Sequence, residues 1–371
     1  MKIAIVHYWL TTWRGGEAVL GEIAAMFPEA DIFAHVVDPR LASSRFPGRN
    51  VRTTFIGRLP FSRRIGQRYL PFMPMALEAL DLRAYDLVIS SESGPAKGVI
   101  TRPDALHVCY CHSPMRYVWD MYHDYRETAS PLTRMLMGLV LHYIRMWDQL
   151  SSRRVDHFVA NSRFVARRIQ KCYGRESTVI HPPVDVGAFS PQPLQSEFFL
   201  SVGQLVPYKR IDLLVDAFNE SELPLRIIGE GPMSKALKKR ASRNIEFLGH
   251  QPFEVIREHY ARCQALVFPG VEDFGIVPLE AMASGRPVIA YRRGGALDTV
   301  IDGVTGVFFE EQTVSSLNEA IHKYRASSAN FDSAALIAHA ARYSTERFRE
   351  KFGAFLEARM LSWKESMESL P

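Results

Sequence analysis

"ALVFPGVEDFGIVPLEAMASGRPVIAY", residues 265–291, changes its periodicity twice. The short apolar run closed by Pro269 and Gly270 reads as a buried strand. Pro278 then marks the first turn of a helix that Gly285 ends, and "PVIAY" reads as the next strand. Strand, helix and strand in that order is the building unit of a parallel sheet. The same alternation extends outward. Upstream lie "FFLSVGQL", the helical "RIDLLVDAFNES", "LPLRIIGEG", the helical "MSKALKKRA", "IEFLGH" and the helical "FEVIREHYARC"; downstream lies "GVFF". The first half runs from "KIAIVHY" through the helical "EAVLGEIAAMF" to "DIFAHVV", "YDLVISSE", "HVCYCHS", "DHFVANS" and "TVIHPPV". An α/β chain of two facing Rossmann-like, doubly wound parallel-sheet domains is expected, residues 1–185 and 198–345. A proline-rich linker is expected over 186–197, and an amphipathic helix over 346–371 packs across a domain surface. Ligands of such sheets bind beyond the carboxyl ends of the strands, so an interdomain cleft is the expected site.

The glycine-rich and polar loops fall at those ends. They are Gly15-Gly16, His112-Ser113-Pro114, Gln204 to Arg210, Gly229-Glu230-Gly231, and Glu272 to Glu280. Gly15 and Gly16 let backbone approach a phosphate at a helix N-terminus. Lys209 and Arg210, at the start of a helix, read either as solvated charges or as cations that bind a diphosphate together with helix N–H groups. Glu280 reads as a first-turn acid and Glu272 as a carboxylate on the loop before it. Complementing the helix dipole is the simplest role for such acids. No D-x-D, no P-loop and no G-x-G-x-x-G occurs. A magnesium site on paired aspartates and a nicotinamide cofactor are therefore not expected, and neither metal nor cofactor is assigned.

Composition narrows the partners. Lys and Arg number 24 against 18 Asp and Glu in residues 1–200, and 21 against 22 in the remainder. The excess is mostly arginine. It includes "GRLPFSRRIGQRYLPFMP" (57–74), where Arg58, Arg63, Arg64 and Arg68 interleave with Phe61, Tyr69, Phe72 and Met73. That mixture suits an anionic membrane surface or a phosphate-bearing acceptor. No nucleic-acid-binding pattern accompanies the charge. No run of about 18 apolar residues is present, and the N-terminal run reads as a strand rather than a leader. Cys109, Cys111, Cys172 and Cys263 are too scattered for a disulfide framework, which indicates a reducing compartment. Cys109 and Cys111 share one face of a strand and are read as packing residues.

"EDFGIVPLE" (272–280) matches the E-x7-E element of retaining glycosyltransferases, and residues 268–309 resemble glycosyltransferase family 4, of GT-B fold. "VGQLVPYKRIDLLVDAF", "IIGEGP" and "HYARCQALVFPG" resemble that family's second domain in order. "HYWLTTWRGGEAVL", "YDLVISSESGPAKGVI", "CYCHSPMRYVWD" and "VANSRFVARRIQKCYGRESTVIHPPVD" are similar to bacterial mannosyltransferases of O-antigen and exopolysaccharide assembly. The resemblance implies that Glu280 binds the nucleotide ribose and Glu272 the hydroxyls of the donor sugar. Backbone N–H groups around Phe274, Gly275 and Ile276 would reach sugar and phosphate, and Lys209 would neutralise the leaving diphosphate. Gly16 would approach the donor, and His112 would contact the transferred sugar. Gln204 stands where the family commonly has arginine; Arg210 either compensates or faces the acceptor. Asp298 replaces the usual glutamate. The implied activity is retaining transfer of a hexose, mannose from GDP-mannose being favoured, to a polyprenyl-diphosphate-linked saccharide at the inner face of the cell membrane. A UDP-sugar donor, a nucleotide-sugar epimerase and a non-catalytic saccharide-binding scaffold of the same fold are the alternatives.

Overall fold

The computed structural model describes residues 1–192 and 198–368, and the chain divides into two units. One is Met1–Pro182 with the C-terminal helix from Phe348, the other Pro183–Arg347. The first unit is built on seven parallel strands: β1 (Ile3–His7), β2 (Asp31–Ala34), β3 (Val51–Thr53), β4 (Leu87–Glu92), β5 (Leu106–Cys111), β6 (His157–Ala160) and β7 (Ser177–Val179), in the order β3-β2-β1-β4-β5-β6-β7. Every residue of β4 and β5 is buried, as expected for a parallel sheet covered on both faces. The run "DIFAHVV", read as one strand, is two. Beyond Ala34 the chain leaves the main sheet, and Val36–Val37 pairs with Trp9–Leu10 in a separate two-stranded ribbon. The turn is held by the His35 N–H donating to the Tyr8 carbonyl at 3.0 Å and by His35 Nδ1 against Thr54 Oγ1, also 3.0 Å.

The helix Gly15–Met26 follows β1 and buries Val19, Leu20, Ile23 and Ala24. These positions recur at helical spacing and face the sheet. Phe348, Phe352 and Leu356, spaced by four along the helix Thr345–Glu368, join the same core. The Tyr110 ring of β5 lies 5.8 Å from Phe348 and 5.9 Å from Phe352. The C-terminal helix therefore belongs to the first unit's core from Phe348 onward.

The second unit has six parallel strands: β8 (Phe199–Val202), β9 (Leu225–Ile228), β10 (Ile245–Gly249), β11 (Leu266–Phe268), β12 (Val288–Tyr291) and β13 (Gly306–Phe309), ordered β10-β9-β8-β11-β12-β13. In both sheets the winding reverses between the first and fourth strand. That is the switch point at which doubly wound sheets open a crevice for ligands. The helix after β11 runs Ile276–Ala283, with Gly275 at φ 87° as its N-cap. Glu280 is thus its fifth residue, not a member of its first turn, and dipole complementation does not account for it. The helix end matches the sequence reading: Gly285 has φ 73°, its N–H donates to Met282 O, and the Arg286 N–H donates to Ala281 O, both at 2.9 Å. Of the stretch expected as a linker, residues 193–197 lie outside the described residues. Val186–Ala188 form a 3-10 turn, and Phe189 is buried in the second unit's core, 5.9 Å from the Tyr260 ring.

Candidate functional site

In the second unit, β8 is followed by Gly203, whose φ of 150° favours glycine. A Cβ there would sit 3.7 Å from Lys209 Nζ. Lys209 closes the short 3-10 turn Pro207–Lys209 and pairs with the Glu272 carboxylate; the two side chains are 14% and 20% exposed. Gly270 makes that approach possible, since a Cβ on it would meet Lys209 Cα at 2.8 Å. The Gly295 N–H donates to the Glu272 carbonyl at 2.8 Å, which fixes the loop carrying the carboxylate. The switch point of this sheet therefore presents one cation and one carboxylate, side by side and mostly shielded, on backbone that glycines bring close.

Around this pair the other expected residues take distinct places. Phe274 is buried, Gly275 caps the helix and Ile276 opens it. Glu280 is half-buried and its Oε2 accepts the Tyr260 hydroxyl at 2.8 Å. Burial raises its carboxyl pKa, and the Tyr260 bond acts against that rise. Gln204 is exposed, its carbonyl accepting the Val206 N–H at 3.0 Å. Arg210, at φ 54°, is the N-cap of the helix Ile211–Ser221; its guanidinium is engaged by Asp212 at 3.2 Å and by Gln312 Oε1 at 3.2 Å. Gln312 in turn donates to Pro269 O at 2.8 Å.

The first unit has its own cluster at the β1/β4 switch point. Gly15 and Gly16 are the first residues of their helix. A Cβ on Gly16 would lie 3.4 Å from the Tyr8 hydroxyl and 3.8 Å from His112 Nε2, so Gly16 and His112 adjoin. His112, just past β5, hydrogen-bonds Ser91 Oγ through Nε2 at 2.9 Å. Its backbone N–H donates to Glu92 O at 2.6 Å, and Asn161 Nδ2 donates to its carbonyl at 2.9 Å. Ser91 sits opposite His7 in the parallel register, and His7 Nδ1 meets the Ser91 carbonyl at 2.9 Å. Burial lowers the pKa of His112 to about 4, and burial together with the neighbouring His112 lowers that of His7 to about 3. Both imidazoles are neutral near pH 7. Arg168, itself buried, ties down the loop after His112 through Ser113 Oγ, Asp120 and Pro114 O.

Sequence reasoning missed the shell beneath His112. Lys97, Glu92 and Asp148 are fully buried together: Lys97 Nζ pairs with Asp148 and lies 3.3 Å from Glu92 Oε1. Trp119 Nε1 and the Tyr173 hydroxyl donate to Asp148 Oδ2 at 2.7 and 3.0 Å. Burial holds the Glu92 pKa up, at about 7. The only sequence signal was a lysine in an otherwise small and apolar run, "SGPAKGVI". Tyr260 carried none, because its partner Glu280 is twenty positions away. Cys109 and Cys111 are buried with Val155, Phe158 and Ile169. Arg58, Arg63, Arg64 and Arg68 are all exposed, on the segment 55–75 rather than in this cluster.

Two family models match adjoining parts of the chain: Glycosyltransferase Family 4 over residues 13–187 and Glycosyl transferases group 1 over residues 188–342. An uncharacterized glycosyltransferase of Methanocaldococcus jannaschii is 30% identical over 182 residues, 48% of this chain and 52% of that protein. A GDP-mannose-dependent alpha-(1-6)-phosphatidylinositol monomannoside mannosyltransferase of Mycolicibacterium smegmatis is 31% identical over 192 residues, 43% of this chain and 50% of that protein. The chain spans about half the length of these curated relatives. Among solved structures, Anabaena HepE in complex with UDP aligns over 96% of this chain and 100% of its own, with TM-score 0.72 and 18% identity, which is a likeness of fold.

Proposed function

The chain belongs to glycosyltransferase family 4, and from that premise we propose that it moves a mannosyl residue from GDP-mannose, with retention, onto a hydroxyl of a polyprenyl-diphosphate-linked saccharide in bacterial surface polysaccharide synthesis. The observation that carries the reading is the Lys209–Glu272 pair beside Gly203 and Gly270 at the second sheet's switch point. A leaving diphosphate needs a cation and backbone N–H donors, and a sugar needs acceptors for its hydroxyls; both are offered in one place. The Mycolicibacterium relative's GDP-mannose dependence supports the choice of donor, and its lipid substrate supports the class of acceptor. The exposed arginines at 58, 63, 64 and 68 serve attachment to the anionic inner face of the membrane.

In this mechanism Lys209 stabilises the departing diphosphate, helped by the N–H groups at the start of the helix Ile276–Ala283. Glu280 accepts the ribose hydroxyls on the oxygen that Tyr260 leaves open. Glu272 orients the sugar. Engaged by a lysine, it is a poor nucleophile for a double displacement, and a same-face substitution assisted by the departing phosphate fits the arrangement better. His112 acts on the transferred sugar as a neutral hydrogen-bonding group rather than as a cation, because burial keeps its pKa near 4. No metal is assigned a step. Titration calorimetry with GDP, GDP-mannose, UDP and UDP-glucose, followed by product analysis with a polyprenyl-linked acceptor, tests the reading. Preference for guanine ligands and a new mannosyl product are expected. Preference for uracil ligands would replace the donor, and binding without product would replace transfer by a saccharide-binding role.

A further inference from the structure

The helix Pro131–Ser151 of the first unit carries two apolar faces. The inner one packs: Leu141 and Ile144 join Met115 and Val118 in a core that Met137 and Val140 flank. No described residue covers the other. Met135, Leu136, Leu139, Tyr143, Met146 and Leu150 are 46–78% exposed. At about 100° per residue these six fall within an arc of about 100°, and they extend over roughly 22 Å of helix axis. A stripe of this length is more than the scattered apolar residues of an ordinary surface. The helix is too polar to cross a bilayer; among the described residues no helix is long and apolar enough to do so.

The surroundings give the stripe a sign. From Ala129 to Trp147 there is no acidic residue, and from Val51 to Leu77 there are five arginines and again no acid. Leu70 packs against both the inner face of the helix and the core under residues 55–76, so the two segments adjoin. On the second segment Phe61 is 72% exposed in a left-handed backbone conformation, φ 55°, and Phe72 and Met75 are about half exposed. A bulky residue in that conformation is strained and gains nothing from water. We propose that the outer face of the Pro131–Ser151 helix, with Phe61, Phe72 and Met75 beside it, is the surface that sinks into the acyl boundary of an anionic membrane, while Arg58, Arg63, Arg64 and Arg68 hold the lipid headgroups. Apolar side chains on one face rimmed by arginine, with no acid among them, match an anionic lipid surface rather than a second copy of this chain, whose like-charged rim would repel its twin. The inference rests on the proposed membrane-bound acceptor only for its purpose; the surface stands apart from the site residues.

Sedimentation with vesicles of phosphatidylglycerol and phosphatidylcholine in equal parts tests it on the full chain. The double variant Leu139→Ser/Met146→Ser alters exposed positions only, and is expected to lower the partition constant by about tenfold or more at both low and high salt. Arg63→Gln/Arg64→Gln is expected to lower it at low salt and much less at high salt. In Leu139→Trp the emission is expected to shift to the blue on vesicles and to be quenched by brominated acyl chains. Unshifted Leu139→Trp emission on sedimented protein would overturn the proposal, as would failure of the wild-type protein to sediment. A concentration-dependent dimer abolished by Leu139→Ser/Met146→Ser, with vesicle binding intact, would assign the stripe to a second copy instead. Sugar transfer to a detergent-dispersed acceptor is unaffected in the double variant if the activity is as proposed; loss of transfer in the wild-type protein as well would strike at the activity and not at this surface.

Discussion

On the role proposed for Glu280, its replacement by glutamine separates ribose recognition from every other part of nucleotide binding. A carboxylate has about four acceptor positions on two oxygens. Tyr260 occupies one on Oε2 at 2.8 Å, which leaves Oε1 for a vicinal diol. Glutamine keeps the shape and can still accept from Tyr260 through its carbonyl, but it presents a donor where the second acceptor stood. The loss is one charge-assisted hydrogen bond, about 1.5–3 kcal/mol, or about 10- to 150-fold in Kd. Calorimetry with GDP reads this directly, and two companion ligands make it specific. Inorganic diphosphate, which has no ribose, should bind Glu280→Gln as it binds the wild-type protein. A deoxyribose analogue of GDP lacking the 2′ hydroxyl should bind the wild-type protein weakly and lose little more in the variant. Thermal stability should change little, because the variant also removes the cost of burying a charge. An equal loss for diphosphate and GDP would refute the reasoning, since Glu280 would then act on the phosphates or on the fold.

Three further expectations follow from the same geometry. Gly16→Ala should fold normally, because its Cβ meets neighbours at ordinary contact distances, yet it fills space beside His112 Nε2; steady-state transfer should show kcat reduced more than donor affinity. Lys97→Met leaves two carboxylates buried without their cation and should cost about 3–5 kcal/mol by urea unfolding at pH 7, less when Glu92→Gln accompanies it. His7, His107 and His112 are held unprotonated in the fold, with pKa values of about 3, 4 and 4, whereas the unfolded chain takes up protons below about 6.5. Stability should therefore fall as pH drops from about 6.5 towards 4, and His107→Asn should flatten that slope in urea melts at pH 7 and pH 5.

Much of this was legible in the chain because two periodicities carry it. Apolar runs separated by helical stretches announced two parallel sheets, and Pro278 with Gly285 bracketed the helix whose end is where expected. The order of strands was not legible, since pairing β1 with β4 depends on contacts more than eighty residues apart, such as His7 opposite Ser91. The start of the Ile276–Ala283 helix was misjudged because Gly275, in a left-handed conformation, caps it so that it begins at Ile276, two residues before Pro278. Among site residues, Glu272 and Lys209 stood out by charge in loops after strands. Ser91, Tyr260 and Lys97 did not, because a serine in a strand, a tyrosine in a helix and a lone lysine acquire their roles only from partners brought in by the fold.

The Lys209–Glu272 pair has a consequence for selectivity. Each group of the pair faces an opposite charge, so any ligand competes with an internal one. On the proposed roles, free diphosphate would recruit Lys209 only by taking it from the mostly shielded carboxylate, whereas an intact nucleotide sugar would engage the lysine with phosphate and the carboxylate with hydroxyls at once. The proposed function thus carries a preference for the intact donor over the spent nucleotide, set by the pair itself.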